Sequence, residues 1–210
     1  MKKMLVKVSP ECPLPFSENE HILLGHGSGG QLSDQLLKEL IYPYFDNPAL
    51  ATGHDSALLA IGEQRLAFTT DSFVVSPLFF PGGDIGKLAV YGTVNDLAMS
   101  GAKPLYLSCS LILEEGLAMN TLSKVLASMS TAAQETGIKL VTGDTKVVEK
   151  GKGDGIYINT AGIGTISHGT RITPQQIQKG DLIILSGDIG RHGMAVMAMR
   201  EGLVFNNPLD

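Results

Sequence analysis

Val141-Thr-Gly-Asp-Thr-Lys-Val-Val148 reads as a strand that presents a carboxylate and an ammonium from one face. Side chains alternate along a strand with a period of two, so Asp144 and Lys146 share one side while Val141, Thr145 and Val147 share the other. Such a pair is either an ion pair on an exposed sheet face or part of a site. Two further stretches weigh toward a site. Phe68-Thr-Thr-Asp71-Ser-Phe-Val-Val75 sets an acid inside a β-favouring run. Between Ile85 and Gly101, residues Ile85, Leu88, Ala89, Gly92, Asp96 and Met99 recur at three- and four-residue steps, which puts Asp96 on the apolar stripe of a helix. An unpaired buried carboxylate is costly and tends to take up a proton. Asp96 therefore either caps a neighbouring loop or joins a cation site, with Asp55, Asp71 and Asp144 as candidate co-ligands. Hard oxygen donors without a Cys or His cluster favour Mg²⁺ over zinc, and Mg²⁺ commonly arrives with nucleotide phosphates.

Around these segments the pattern predicts a helix over Ser33 to Phe45, with Ser33 as N-cap and Leu36, Leu37, Leu40, Ile41 and Tyr44 as its stripe. Strands follow at Ser56 to Ile61 and Leu66 to Val75, then the long helix from Ile85, a strand over 103–113, and a helix from Asn120 to Thr136 ended by Gly137. Strands over 138–148 and 156–166 flank the turn Glu149 to Gly155. The order predicts an α+β layer with helices packed on a sheet, without strict βαβ alternation. From His168 the pattern restarts, with a short buried strand at Gly180 to Gly187 and a methionine-rich helix at Gly193 to Glu201. The expected division is an irregular tail at 1–20, a main domain at 21–167, and the incomplete start of a second, α/β domain at 168–210.

Composition narrows the function classes. The chain has 210 residues, 43% apolar and 18% charged, with a net charge of -5, as in a compact protein without a clustered phosphate-binding surface. Nucleic acid is not expected as a partner. No stretch approaches the ~18 uninterrupted apolar residues of a membrane span, so a cytoplasmic protein with no membrane partner is expected. Cys109, on the same strand face as Leu105, Leu107, Leu111 and Leu113, reads as a core thiol, and Cys12 lies in a Pro-rich entry.

Two glycine-rich loops resemble nucleotide motifs. Gly25-His-Gly-Ser-Gly-Gly30 matches G-x-G-x-x-G and opens a helix, but a second parallel strand and its ribose-binding acid have no place in the Pro-rich stretch that follows. Its backbone N–H groups remain candidates to grip phosphate, and His26 either orients a phosphate or caps the loop. Gly82-Gly-Asp-Ile-Gly-Lys-Leu88 is one residue short of a P-loop and has Leu where Ser or Thr should hold Mg²⁺, so that reading fails.

Taken together, His26-Gly-Ser-Gly-Gly30, Thr70-Asp-Ser72, Pro81-Gly-Gly83, Asn95-Asp-Leu-Ala98, Ser100-Gly-Ala102, Leu113-Glu-Glu-Gly116 and Gly143-Asp-Thr-Lys-Val-Val148 resemble the HypE family of hydrogenase maturation proteins. That family lies within the aminoimidazole ribonucleotide synthetase and selenophosphate synthetase superfamily. The match runs in consistent order from about His21 through Glu201. The resemblance implies a two-domain ATP-dependent enzyme, a homodimer whose N-terminal sheets form a barrel with ATP bound beside it. It implies dehydration of a cysteine S-carboxamide to a thiocyanate, which supplies the cyanide ligand of [NiFe]-hydrogenase. The implied partners are a HypF-like carbamoyltransferase and a HypC-HypD-like iron scaffold complex.

By position, the resemblance implies that Asp55, Asp71 and Asp96 serve Mg²⁺–ATP. His26, Gly27, Ser28, Gly29, Gly30, Asn95, Asp144 and Thr145 join them in binding nucleotide, with Asp144 and Lys146 in catalysis. Lys146 would assist deprotonation if burial lowered its pKa. Two departures from the family pattern stand out. The sequence stops at Asp210 without the rest of a second domain or a terminal cysteine, so as given it is expected not to complete cyanide synthesis, and Arg191 stands where an acid is more usual. Another ATP-using synthetase or kinase of the superfamily, or a non-catalytic nucleotide-binding module that docks maturation partners, are the alternatives.

Overall fold

The structure, a computed structural model, describes residues 21–45, 47–167, 169 and 171–202. The predicted tail at 1–20 and Cys12 lie outside the described residues. The chain divides into two compact units, Met1–Ala51 and Thr52–Asp210.

In the first unit a 3₁₀ turn at Leu24–Gly27 leads into a short helix α1 (Gln31–Gln35), which continues as a π-helical turn over Leu36–Ile41 and a 3₁₀ turn at Tyr42–Tyr44. The predicted start is corrected. Gly30, not Ser33, is the N-cap, because the Ser33 hydroxyl turns back and accepts the Gly29 N–H at 2.9 Å. None of the predicted stripe is buried within this unit.

The second unit is built on a five-stranded sheet. Its strands are β1 (Ala57–Ile61), β2 (Gln64–Phe73), β5 (Ala102–Glu114), β6 (Lys139–Val148) and β7 (Ile156–Ile166), in the order β1-β2-β7-β5-β6. All pairs are antiparallel except β5–β6, which the crossover helix α3 (Met119–Thr136) joins in parallel. A small hairpin, β3 (Phe79–Phe80) and β4 (Gly83–Asp84), leads into α2 (Ile85–Met99). Both predicted helices form, and α3 stops where Gly137 takes φ 70°. The two strand limits at 66–75 and 103–113 shift by one to two residues.

The core lies between the sheet and α2 and α3. Ile85, Ala89, Val90 and Leu97 from α2 meet Leu107, Cys109, Ile156 and Ile158 from the sheet, and Val125, Met129 and Ala132 from α3. Gly86 permits the two helices to approach closely, since a Cβ there would lie 2.5 Å from the Val125 carbonyl oxygen. Across the α2–β7 contact the hydroxyls of Thr93 and Thr160 meet at 2.5 Å, and Thr160 also reaches the Ala89 carbonyl at 2.9 Å. Cys109 is buried, as expected of a core thiol, and burial raises its pKa.

Two bulges shift the alternation read from the sequence. Leu105 is the extra residue of β5 against β7, beside Pro104, and Val141 is the extra residue of β6 against β5. Each therefore falls out of phase with the face assigned to it.

After β7, Leu182, Ile183 and Ile184 are almost fully exposed and no strand forms at 180–187, which overturns the predicted buried strand. Among the described residues nothing pairs with that segment, and a lone strand has no sheet to complete. Helix α4 (Arg191–Glu201) does form. It rests on the β3 region through Arg200, whose Nε donates to the Ser76 carbonyl at 2.6 Å, and through His192, edge-on to Phe80.

Candidate functional site

On β2 the alternation puts Ala67, Thr69 and Asp71 toward α2, and Thr70 and Ser72 on the opposite, open face. Thr69 is buried, and its hydroxyl lies 3.0 Å from the Asp55 carbonyl and 2.9 Å from an Asp96 carboxylate oxygen. Ser56 donates to the Asp96 carbonyl at 2.8 Å and receives Ser100 Oγ at 3.0 Å. His54 ties the same loop to Ser100 and, through Nε2, to the Ile172 carbonyl at 3.0 Å. The result is a short network that joins the loop before β1, the middle of β2 and the last turn of α2.

The buried face of α2 is Ile85, Gly86, Ala89, Val90, Thr93 and Leu97, so the predicted stripe through Gly92, Asp96 and Met99 runs along its shoulder. Met99 is 54% exposed and Asp96 half-buried. The rotation follows from Thr93 facing Thr160 and from the glycine at 162, where a Cβ would come within 2.8 Å of the Thr93 methyl. Asp96 is thereby set against β2 and not in the core. Its pKa is raised, first by loss of solvent and then by the charges of Asp71 and Asp55, against the lowering effect of the Thr69 hydroxyl. Asp71 and Asp55, predicted to serve one cation with Asp96, thus stand close enough for their charges to act on it. Among the described residues no three His, Cys, Asp or Glu side chains already form a metal cluster. This donor set fits Mg²⁺, which keeps several waters and takes one or two carboxylates together with substrate phosphates.

Asp144 and Lys146 occupy a different part of the sheet. They lie on β6, three strands from β2, or about 14 Å by strand spacing, and on the open face, whereas Asp71 faces the helices. Lys146 Nζ reaches the Asp144 carboxylate at 2.8 Å, and the two side chains are 70% and 57% exposed. That bond and the Thr145 backbone lower the Asp144 pKa. The described residues do not supply the burial on which a base role for Lys146 was premised. Asp144 and Thr145 also sit at the rim of an open groove of about 860 Å³ between α3 and β5–β6, floored by Leu107, Cys109 and Met129. Asp55 instead borders a smaller pocket of about 260 Å³ with His54, Met99 and Thr173.

Glu114 closes the far end of β6. Its carboxylate accepts the N–H groups of Gly151 and Gly155 at 2.6 and 2.9 Å, which holds the Glu149–Gly155 turn and lowers its own pKa.

In the first unit His26 is buried and its Nδ1 accepts the Leu23 N–H at 2.9 Å, so the ring caps its own loop. Ser28 donates to the Gly25 carbonyl. Gly27, Gly29 and Gly30 complete the loop, with Gly29 at φ 74°. Asn95 is exposed on α2 beside Asp96. At the failed P-loop, Asp84 occupies the position a phosphate would take: Oδ1 accepts the Gly86 and Lys87 N–H groups at 2.7 and 3.1 Å and caps α2.

Sequence reading missed Thr69, Ser56, Gly92 and Asn159, of which Asn159 gave a signal, as an amide inside the apolar run Ile156 to Ile163.

The layered sheet and its acidic α2–β2 site define an AIR-synthase-type N-terminal domain. A model described as the N-terminal domain of AIR synthase related proteins matches residues 53–166, and the chain belongs to that family. Within it the similarity is to HypE proteins. The carbamoyl dehydratase HypE of Cupriavidus necator is 49% identical over 205 residues, which covers 97% of this chain and 58% of that protein. A crystal structure of a HypE-HypF complex superposes with a TM-score of 0.77 at 51% identity, over 82% of this chain and 56% of the other. A HypE structure in complex with ATP gives 0.66 at 51% identity, over 88% and 55%. The chain spans little more than half the length of these relatives. Among the described residues no helix is long and apolar enough to cross a membrane.

Proposed function

We propose that this chain is the nucleotide-binding part of an ATP-dependent carbamoyl dehydratase, which converts a protein-bound cysteine S-carboxamide to a thiocyanate for the cyanide ligand of [NiFe]-hydrogenase. The observation that carries the reading is that Asp55 and Asp71 lie close enough for their charges to act on Asp96, in a chain about half identical to HypE proteins. Asp55, Asp71 and Asp96 would hold Mg²⁺, which would neutralise phosphate charge as the phosphoryl group moves. Transfer of the γ-phosphoryl of ATP to the amide oxygen, with loss of one nitrogen proton, releases ADP, forms a C=N bond and makes that oxygen a leaving group. Loss of the remaining nitrogen proton and of phosphate then leaves the C≡N bond.

In this reading the Gly25–Gly30 loop of the first unit, with His26, Gly27, Ser28, Gly29 and Gly30, binds phosphate, and in the second unit Asn95, Asp144 and Thr145 bind nucleotide. Lys146 acts on the phosphoryl charge and the departing proton. Homodimerisation would cover the open sheet face, where Phe68, Tyr106, Ile112 and Ile163 are between 38% and 48% exposed. The barrel of two sheets, the continuation of the segment after 168 into a second domain, a HypF-like carbamoyltransferase and a HypC-HypD-like scaffold belong to the same proposal, as does a cytoplasmic location.

Titration calorimetry of Mg²⁺–ATP tests it. Asp96→Asn should keep the fold and weaken binding by at least about tenfold, the scale of one lost charged contact. Unchanged affinity would remove Asp96 from the site. For the reaction itself, the carbamoylated full-length protein incubated with ATP should lose the mass of one water, and no loss would reject the dehydratase reading.

A further inference from the structure

Asn159 ties the Asp71 backbone and the two hydroxyls that flank it to the neighbouring strand. It lies on β7 opposite Ser72, on the open face of the sheet. Its Nδ2 reaches Thr70 Oγ1 at 3.1 Å, the Asp71 carbonyl at 3.0 Å and Ser72 Oγ at 3.0 Å. The Asp71 carbonyl accepts only, so it fixes which way the amide is turned: the NH₂ group faces β2. Thr70 adds a bond to the Thr160 carbonyl at 3.1 Å, so three consecutive residues of β2 are tied to β7 by side chains in addition to the ladder.

The opposite face of Asp71 is shaped by α2. A Cβ at position 92 would lie 2.8 Å from the Phe73 ring and 3.5 Å from Asp71 Oδ2. The absent side chain of Gly92 is therefore the space into which the Phe73 ring fits, beside the Asp71 carboxylate and one helical turn before Asp96. Asp71 is held from behind by Asn159, and in front Gly92 leaves room for the neighbouring Phe73 ring; neither residue carries charge of its own. Strand pairing alone leaves a side chain free among rotamers, whereas a carboxylate that meets a cation requires its backbone fixed to within a fraction of an ångström.

We infer that Asn159 is a positioning residue for Asp71: its amide locks Thr70-Asp71-Ser72 so that the Asp71 carboxylate is presented beside Asp96 for a phosphate-bound divalent cation. The inference rests on the nucleotide reading above and assigns Asn159 no contact with the ligand.

A double-mutant cycle in Mg²⁺–ATP binding tests it, with the Mg²⁺ concentration for half-maximal nucleotide binding as the readout. Asn159→Ala should raise that concentration by about tenfold, the effect of a lost hydrogen-bonded support. In an Asp71→Asn background the same change should add less than about twofold, because residues acting as one unit are not additive. If Asn159→Ala does not fold, Asn159→Thr, which keeps one donor on a strand-favouring side chain, carries the same measurement. An unaltered Mg²⁺ requirement, or an equal loss in both backgrounds, overturns the positioning role while leaving the nucleotide site intact. No effect of Asp71→Asn alone overturns the nucleotide reading at Asp71, and the positioning role falls with it.

Discussion

The β2 side and the β6 edge of one sheet carry the two sets of charged residues, built in opposite ways. At β2, Asp71 and Asp96 lie where helix and sheet meet, and Thr69, Ser56, Ser100 and Asn159 spend their hydrogen bonds on holding them. At β6, Asp144 and Lys146 pair with each other, and apart from the Thr145 backbone beside Asp144 both side chains stand mostly in solvent. Loss of solvent, and then the charges of Asp71 and Asp55, raise the proton affinity of Asp96, while that of Asp144 is lowered. The contrast teaches that the first group is already organised within one chain, and that the second needs a covering surface before its charges count for more than a solvated ion pair.

The largest effect should come from breaking the β6 edge at Gly143. A Cβ there would lie 2.2 Å from the Cys109 carbonyl oxygen, backbone against side chain, with no rotamer to relieve it. Gly143→Ala should cost about 2–3 kcal/mol, the upper range for overpacking. Hydrogen exchange should show protection lost along β6 while β2 and β7 keep theirs, and Mg²⁺–ATP affinity at the β2 acids should persist. Equal loss in all strands would mean that the two regions are not separable.

Gly92→Ala should do the reverse. The clash there is with the Phe73 ring, which can turn, so the stability cost should be about 1 kcal/mol, and the displaced ring should disturb Asp71. Calorimetry should find nucleotide affinity reduced more than thermal unfolding would suggest. A variant with wild-type affinity would show that the notch serves packing alone.

Much of this was legible in the sequence, and the limits have physical causes. Element order and type followed from period and turn residues: Gly137 ended α3, and the 156–166 alternation gave β7. Phase did not follow. The Leu105 and Val141 bulges each insert one residue, a change that depends on the partner strand and leaves no mark in the local pattern. The α2 stripe was drawn through Asp96 because Thr93 and Gly86 do not read as core residues, yet one is buried by its hydroxyl partner and the other by lacking a side chain. The acids were nonetheless found, since a carboxylate in an apolar run is conspicuous whichever side of the helix it takes. The network of Thr69, Ser56 and Asn159 was not, because hydroxyls and amides are common in strands and only the register brings them together.

A pH titration sharpens the contrast between the two regions. The raised Asp96 pKa means that the native state holds this proton more tightly than the unfolded chain does, so the charged carboxylate detracts from stability, and stability falls as pH rises through the folded pKa. Two consequences follow for Asp96→Asn. At neutral pH it should melt above the wild type, and the difference should vanish in acid, where wild-type Asp96 is protonated. Conversely, wild-type Mg²⁺–ATP affinity should decline on acidification at a pH above the ordinary aspartate range, because cation and proton compete for the same carboxylate. A melting difference independent of pH would assign the effect to packing and not to charge.

The smallest effect on stability should be at Asp144 and Lys146, and there it separates the two regions most cleanly. The lowered Asp144 pKa has the opposite sign from Asp96: its pairing favours the fold above the ordinary carboxylate range and is lost as pH falls. Both side chains are more than half exposed, however, so water and salt screen the pair. Lys146→Ala and Asp144→Ala should therefore leave the melting temperature unchanged within error, in low salt as in high. If Lys146 acts in turnover once a second surface covers β6, Lys146→Ala in the full-length protein should lose ATP-dependent dehydration while retaining nucleotide affinity, since the β2 acids and Asp144 are untouched. A melting temperature that drops clearly in low salt would mean that the pair supports the edge strand. A loss of affinity equal to that of Asp96→Asn would mean that the two ends of the sheet meet in one site.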